Sequence, residues 1–238
     1  MTNRTAERSP LVYARGAGVL YLLLIIFGGY SFLYVFSSLV VPGDAAATAN
    51  NIMASESLFR SGIVTWLISQ TVFILLVLAL YKLLKPVNKN AALLMVIFVL
   101  VSVPIAFINE LNQFAALLLL SGADYLTVFT AVQLQALVLF FLDLREGGLS
   151  IAGIFWGLWL LPFGYLVYKS GFLPRILGIL LIIGGFGYVI DFFIFSLFPN
   201  FDVEVSIVTS IGEILIALWL LIKGVNVDQW EKRALESA

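Results

Sequence analysis

Polar and apolar residues do not alternate along this chain; they separate into long blocks. Seven apolar segments stand out, at Leu11 to Leu39, Gly62 to Leu83, Ala91 to Leu120, Tyr125 to Leu142, Ile151 to Tyr168, Ile176 to Phe198 and Val205 to Ile222. A helix needs about 20 mostly apolar residues to cross a bilayer, and each block reaches or approaches that length. Runs such as Leu20 to Phe27 are apolar on every side, without the period of two that marks a membrane barrel strand. The pattern predicts an all-α, polytopic membrane helix bundle. Its count is seven transmembrane helices, or six plus one re-entrant segment. A signal peptide is the alternative for the first block, since Arg4, Arg8 and Arg15 precede it and Ala45-Ala46-Ala47 looks cleavable. The block far exceeds the roughly 7–15 residues of a secretory core, which disfavours that alternative.

The expected layout is a cytoplasmic tail at 1–10, one transmembrane domain at 11–224 with an external amphipathic helix at about 43–60, and a short polar tail at 225–238. Lys and Arg in short loops mark the cytoplasmic side. If all seven segments cross with the N-terminus inside, Arg4, Arg8, Arg15, Lys82, Lys85, Lys89 and Arg145 are inside. Arg60, Lys169, Arg175, Lys223, Lys232 and Arg233 are then outside, which is no bias. If one segment between Ala91 and Leu142 fails to cross, only Arg60 and Arg145 remain outside against eleven inside. Charge favours six crossings and hydropathy favours seven. The third segment carries Pro104 and then Asn109, Glu110, Asn112 and Gln113, a polar and breakable composition suited to a re-entrant or discontinuous helix.

Composition narrows the chemistry. Of 238 residues 62% are apolar and 11% charged, against roughly half and a quarter in ordinary soluble domains, so the bilayer is the expected surrounding. A net charge of −1 gives no pull toward nucleic acid. There is no Cys and no His, which removes disulfides, thiol nucleophiles, His-ligated haem, Cys or His zinc sites and Ser-His hydrolases. No cofactor and no metal is expected, and a carboxylate-only metal site at Asp44, Glu56 or Glu110 finds no support in spacing.

The stretch from Pro42 to Arg60 is the longest polar interruption. Asp44 follows a Pro-Gly turn and can cap a helix; Asp44, Thr48, Asn51 and Ser55 then fall on one face, and Glu56 and Arg60 can pair across one turn. Such a stripe either meets solvent or forms a lid for a ligand. Within the apolar blocks lie three acids, Glu110, Asp191 and Glu213, each costly in lipid unless it faces a partner or cavity. Asn109, Asn112 and Gln113 make the Glu110 segment polar on one face. Tyr188 precedes Asp191 and Thr209 precedes Glu213 by about a turn, so each has a hydroxyl nearby. Arg15 is the expected intramembrane cation, snorkelling to the inner surface or turning toward an acid. Gln70 with Trp66 and Ser69, and Gln133 with Gln135, read as interhelical glue; Gly153 with Gly157 and Ala14 with Gly18 read as close-packing pairs, which also permit a homo-oligomer.

Three stretches carry a family resemblance: Ala14 to Leu22 (ARGAGVLYL), Val41-Pro42-Gly43-Asp44 through Thr48, Asn51, Ile52, Ala54 and Ser55 to Leu58-Phe59-Arg60, and Gly157-Leu158-Trp159-Leu160-Leu161-Pro162 through Gly164-Tyr165 to Ser170–Gly178. Together, and in this order over nearly the whole chain, they resemble the bacterial membrane family catalogued as domain of unknown function 4386. The resemblance implies a bacterial cytoplasmic-membrane protein and supplies no activity. It also implies a histidine near the position of Arg145, ahead of a glycine such as Gly148. This sequence has no histidine, so a mechanism needing that imidazole does not carry over.

The residues leave two classes of function open. One is a small-solute or proton- or cation-linked transporter, or a ligand-binding membrane protein, using Glu110 and Glu213 with the Asp44 to Arg60 helix over the outer mouth. The other is a non-catalytic accessory or sensory protein that binds lipid or a protein partner. An enzyme has least support: Gly187-Tyr188-Val189-Ile190-Asp191 fits neither aspartate motif of an intramembrane aspartyl protease.

Overall fold

In the computed structural model, residues 9–198, 201 and 203–237 are described. Most of the expected tail at 1–10, with Arg4 and Arg8, lies outside them. Every regular element among the described residues is helical. In chain order, α1 (Pro10–Gly29) continues through a π-helical stretch, Tyr30–Phe36, into α2 (Ser37–Leu39). Then follow α3 (Ala45–Ala54), α4 (Glu56–Leu84), α5 (Lys89–Asn109), α6 (Leu111–Leu119), α7 (Ala131–Ser170), α8 (Arg175–Leu197), α9 (Ser206–Thr209), α10 (Ile211–Ile222) and α11 (Val227–Glu236).

Among the described residues five helical stretches are long and apolar enough to cross a membrane: Pro10–Leu39, Glu56–Leu84, Lys89–Leu119, Ala131–Ser170 and Arg175–Leu197. A sixth arises if Ser206–Ile222, which meets Val227–Glu236 at 101°, is counted with it. The count of seven is not confirmed: the fourth and fifth apolar blocks run together in the 40 residues of α7. The stretch between them, Asp143 to Ser150, is helical throughout. Gly147 and Gly148 cost only about 1 kcal/mol each against alanine in a helix, too little to break one whose neighbouring residues are fixed by tertiary bonds. The start of α7 is set by a reciprocal cap: Gln133 Oε1 accepts from the Thr130 backbone N–H at 2.9 Å, and Thr130 Oγ1 accepts from that of Gln133 at 3.3 Å. Its end is set by Gly171, at φ 77°.

The third segment is interrupted, as its composition predicts. The interruption is at Glu110 rather than at Pro104, which sits inside α5. The external helix expected at about 43–60 is α3 plus the first turn of α4, parted at Ser55. The polar C-terminal stretch is helical as α11, and its Trp230 is buried and donates its indole N–H to the Leu83 carbonyl at 2.8 Å.

The chain divides into two compact units. One comprises Leu24–Thr71 and Val103–Ala152; the other comprises the chain up to Leu23, Val72–Ser102 and the chain from Gly153 on. Helices α1, α4, α5 and α7 contribute residues to both. In the second unit Trp159 is the aromatic centre, edge-on to Phe73 at 5.0 Å and stacked on Phe163 at 5.2 Å. Helices α7 and α8 meet there along glycines: a Cβ at Gly157 would touch the Gly185 carbonyl, and one at Gly164 the Gly178 carbonyl. In the first unit Val35, Leu39, Ile52, Phe59, Ile63, Val138 and Leu142 form the core. Outward faces of both units are apolar, as at Leu33, Ile108 and Val132 in one and Ile176, Phe186 and Phe193 in the other.

Candidate functional site: a buried Glu110–Arg145 pair

In the first unit, the α5/α6 break and α7 bring an acid and a cation together. The α5/α6 break leaves Glu110 between the two helices, 1% exposed. On α7, Val138, Leu142, Arg145, Leu149 and Ala152 recur at four- and three-residue steps and are all buried. Arg145 thus occupies a core position, and its exposure is 0%. Its Nε donates to Glu110 Oε1 at 3.2 Å, while the Gln113 amide donates to Glu110 Oε2 at 2.7 Å.

Neighbouring polar groups fix the backbone around this pair. Asn109 Nδ2 donates to the Arg145 carbonyl at 2.8 Å, and Asn112 Nδ2 donates to the Asn109 carbonyl and to Asn109 Oδ1, each at 3.0 Å. Gly148 makes room for Asn109, since a Cβ there would strike its amide. The π-helical stretch turns Phe36 toward the guanidinium, whose carbon lies 4.8 Å from that ring's centre and 5.8 Å from the Trp66 ring's.

The guanidinium is only partly used. Both outer nitrogens of Arg145, Nη1 and Nη2, are buried and have no hydrogen-bond partner among the described residues. Gln70 Oε1 is in the same condition, while Gln70 Nε2 donates to Ser69 Oγ at 3.4 Å. Buried donors normally find acceptors, and leaving one unmade costs about 1–3 kcal/mol or more for a charged group.

The other predicted residues fall elsewhere. Glu213 lies in the other unit, where it accepts from the Tyr21 hydroxyl at 2.6 Å and the Tyr188 hydroxyl at 3.1 Å. Asp191 accepts from the backbone N–H groups of Val205 at 2.6 Å and Ser206 at 2.9 Å, tying α8 to the start of α9. Among the described residues no hydrogen-bond partner is common to Glu110, Asp191 and Glu213. Arg15 is exposed, so the buried cation is Arg145 instead. In α3, Asp44 caps the Ala47 N–H at 2.8 Å. Thr48 is fully buried and bonds to both backbone groups of Val41, and Asn51 donates to the Leu39 carbonyl at 3.2 Å. Ser55 ends α3, and Arg60 pairs with Glu56 at 2.6 Å on an exposed surface.

Phe36 carries no signal as a site residue in the sequence, and the position of Arg145 is marked only by the family resemblance, since 143–150 falls between two apolar blocks. The signal that could have found Arg145 was its place in the Val138 to Ala152 stripe, where Asp143 and Glu146 fall on the exposed side.

Comparison with known proteins agrees with the motifs. An uncharacterized protein of Archaeoglobus fulgidus is 35% identical over 151 residues, which are 63% of this chain and 76% of that relative. No solved structure matches the chain. The profile of the family described as Domain of unknown function (DUF4386) matches residues 16–224, so the chain belongs to that family.

Proposed function

We propose that this chain is a multi-pass membrane protein that crosses the bilayer six times and holds a small ligand at the Glu110–Arg145 pair. The reading of six crossings is supported by the five long apolar stretches and by Ser206–Ile222, which reaches the length and hydropathy of a sixth only when counted with Val227–Glu236. An even number puts both chain ends on one side. In keeping with that, Lys82 lies 5.6 Å from the Tyr13 ring near the start of α1, and the Asn226 N–H ahead of α11 bonds to the Phe172 carbonyl just past α7 at 3.2 Å. The charge pattern agrees. Arg4, Arg8, Arg15, Lys82, Lys85, Lys89, Lys169, Arg175, Lys223, Lys232 and Arg233 share the cytoplasmic side, Arg60 is outside, and Arg145 lies in a helix interior.

The length of α7 has a physical consequence in this arrangement. Its 40 residues measure about 60 Å, twice the hydrocarbon thickness of roughly 30 Å. Asp143 and Glu146 are exposed near its middle, and charges do not face lipid tails. From there to Lys169 is about 25 residues, or roughly 37 Å, enough for one crossing. The Ala131 to Leu142 portion then stands beyond the hydrocarbon on the outer side, and the Glu110–Arg145 pair lies near that boundary.

The ligand reading rests on one observation, the two buried and unbonded outer nitrogens of Arg145. The dispersal of Glu110, Asp191 and Glu213 gives no support to a carrier built on those three acids together. The test is the thermal midpoint of the detergent-purified chain with acetate, benzoate, inorganic phosphate, ethanolamine, acetamide and glucose. At least one is expected to raise the midpoint of the natural chain and not that of Arg145→Gln. If none does, the ligand reading fails.

A further inference from the structure

We infer that Lys169 and Arg175 hold the phosphate of an anionic phospholipid at the cytoplasmic surface; this rests on the membrane reading above, which places the α7–α8 turn at that surface. The two cations meet at one ring. Lys169 Nζ lies 5.9 Å from the centre of Tyr168 and the Arg175 guanidinium carbon lies 5.7 Å from it. All three side chains are exposed, so the surface beside them is open. Among the described residues neither cation forms an ion pair with an acid. Arg233 of α11 adds a third positive group, its Nη2 donating to the Lys169 carbonyl at 3.4 Å, but Glu236 engages it at 3.3 Å. Arg175 also stands in the first turn of α8, a turn without an acid, at the helix end where the dipole disfavours a cation. An anion bound between Lys169 and Arg175 relieves both their mutual repulsion and that dipole.

What continues from the cations selects a lipid over a free anion. Arg175, Ile179, Ile183 and Phe186 recur at four- and three-residue steps along α8, and all are exposed. Arg175 is therefore the polar head of a stripe whose remainder is apolar and faces the bilayer core in this arrangement. On α7, Tyr165 and Tyr168 are exposed one turn apart, amphipathic rings of the kind that sit at headgroup level. A phospholipid whose chains run along Ile179, Ile183 and Phe186 brings its phosphate to the level of Arg175 and Lys169. An anionic headgroup places one negative charge between two positive ones, whereas a zwitterionic headgroup carries a cation of its own into the same place. Near an anionic surface each Lys or Arg strengthens binding roughly fivefold.

The experiment is native mass spectrometry of the detergent-purified full chain, titrated with phosphatidylglycerol or with phosphatidylcholine of the same acyl chains. The natural chain is expected to bind phosphatidylglycerol at least tenfold more tightly. That preference is expected to vanish in Lys169→Gln/Arg175→Gln. It is expected to persist in Lys85→Gln/Lys89→Gln, which removes the same charge from exposed positions on the same side. Equal binding of the two lipids by the natural chain would overturn the inference. So would equal losses in the two double variants, which would mean a diffuse effect of charge rather than a site. Displacement of phosphatidylglycerol by inorganic phosphate at equal concentration would overturn the lipid in favour of a free anion. Should Lys169→Gln/Arg175→Gln fail to fold, the lipid comparison and the phosphate competition on the natural chain decide. Failure of the underlying reading shows separately, as a chain that is monodisperse in buffer without detergent, or as labelling of Ser237→Cys from outside the cell.

Discussion

Glu110 and Arg145 are both buried away from water, where each charge needs the other. Removing one partner of a buried ion pair typically costs about 3–5 kcal/mol, because a charge is left uncompensated, whereas removing both is far milder. Glu110→Gln and Arg145→Gln should therefore each lower the thermal midpoint strongly, and the double variant should recover much of the loss. Additive losses in that cycle would show that the two side chains act separately. Nearby glycines give a finer contrast. A methyl at Gly148 collides with Asn109, so Gly148→Ala should cost about 1–3 kcal/mol, while Gly147→Ala, with nothing within 4 Å, should stabilise by about 0.5–1 kcal/mol. Equal effects on chemical or thermal unfolding would contradict the packing of Asn109. The acidic half of this site was legible in the sequence, since Asn109, Glu110, Asn112 and Gln113 mark one polar face within a few residues. The cationic half was not. What makes Arg145 a core residue is a partner 35 positions away, and local composition around it, with Asp143, Glu146 and two glycines, has the look of a loop.

Among elements, α3 shows how a polar stripe can serve the chain itself rather than solvent. Thr48 and Asn51 are directed at backbone groups of residues 39 and 41, where the preceding helix ends and its carbonyls lack partners. Thr48→Val with Asn51→Leu should loosen α3 from that anchor, raising its amide hydrogen exchange by at least tenfold while the exchange of α8 is unchanged; equal exchange in α3 would refute the anchoring role. Between α7 and α8 the backbone contact at Gly157 and Gly185 tolerates no side chain, so Gly157→Leu should force the helices apart and lower the thermal midpoint more than Gly153→Leu, whose added Cβ meets only Trp156 at 4.0 Å. Helical character, the cap at Asp44 and the interruption near Glu110 were all written in local spacing. The fusion of two apolar blocks into α7 was not, because it depends on bonds from Asn109 and Glu110 that no window of neighbouring residues contains.

For the molecule as a whole, the fusion of those blocks leaves five stretches long and apolar enough to cross a membrane, or six if the bent pair at 206–236 is counted, and the proposed six crossings are the count that charge placement favours. Counting apolar blocks overestimates crossings when one helix is long enough to run past the bilayer. Lys and Arg placement had already pointed to six, with eleven basic residues on one side. The absence of cysteine permits a direct test, since single cysteines can be added without background. Met53, half-exposed on α3, and Ser237, just past α11, occupy opposite sides in this arrangement. In intact cells expressing Met53→Cys or Ser237→Cys, a membrane-impermeant maleimide should label the first at once and the second only after permeabilisation. Labelling of Ser237→Cys from outside, as fast as that of Met53→Cys, would contradict six crossings.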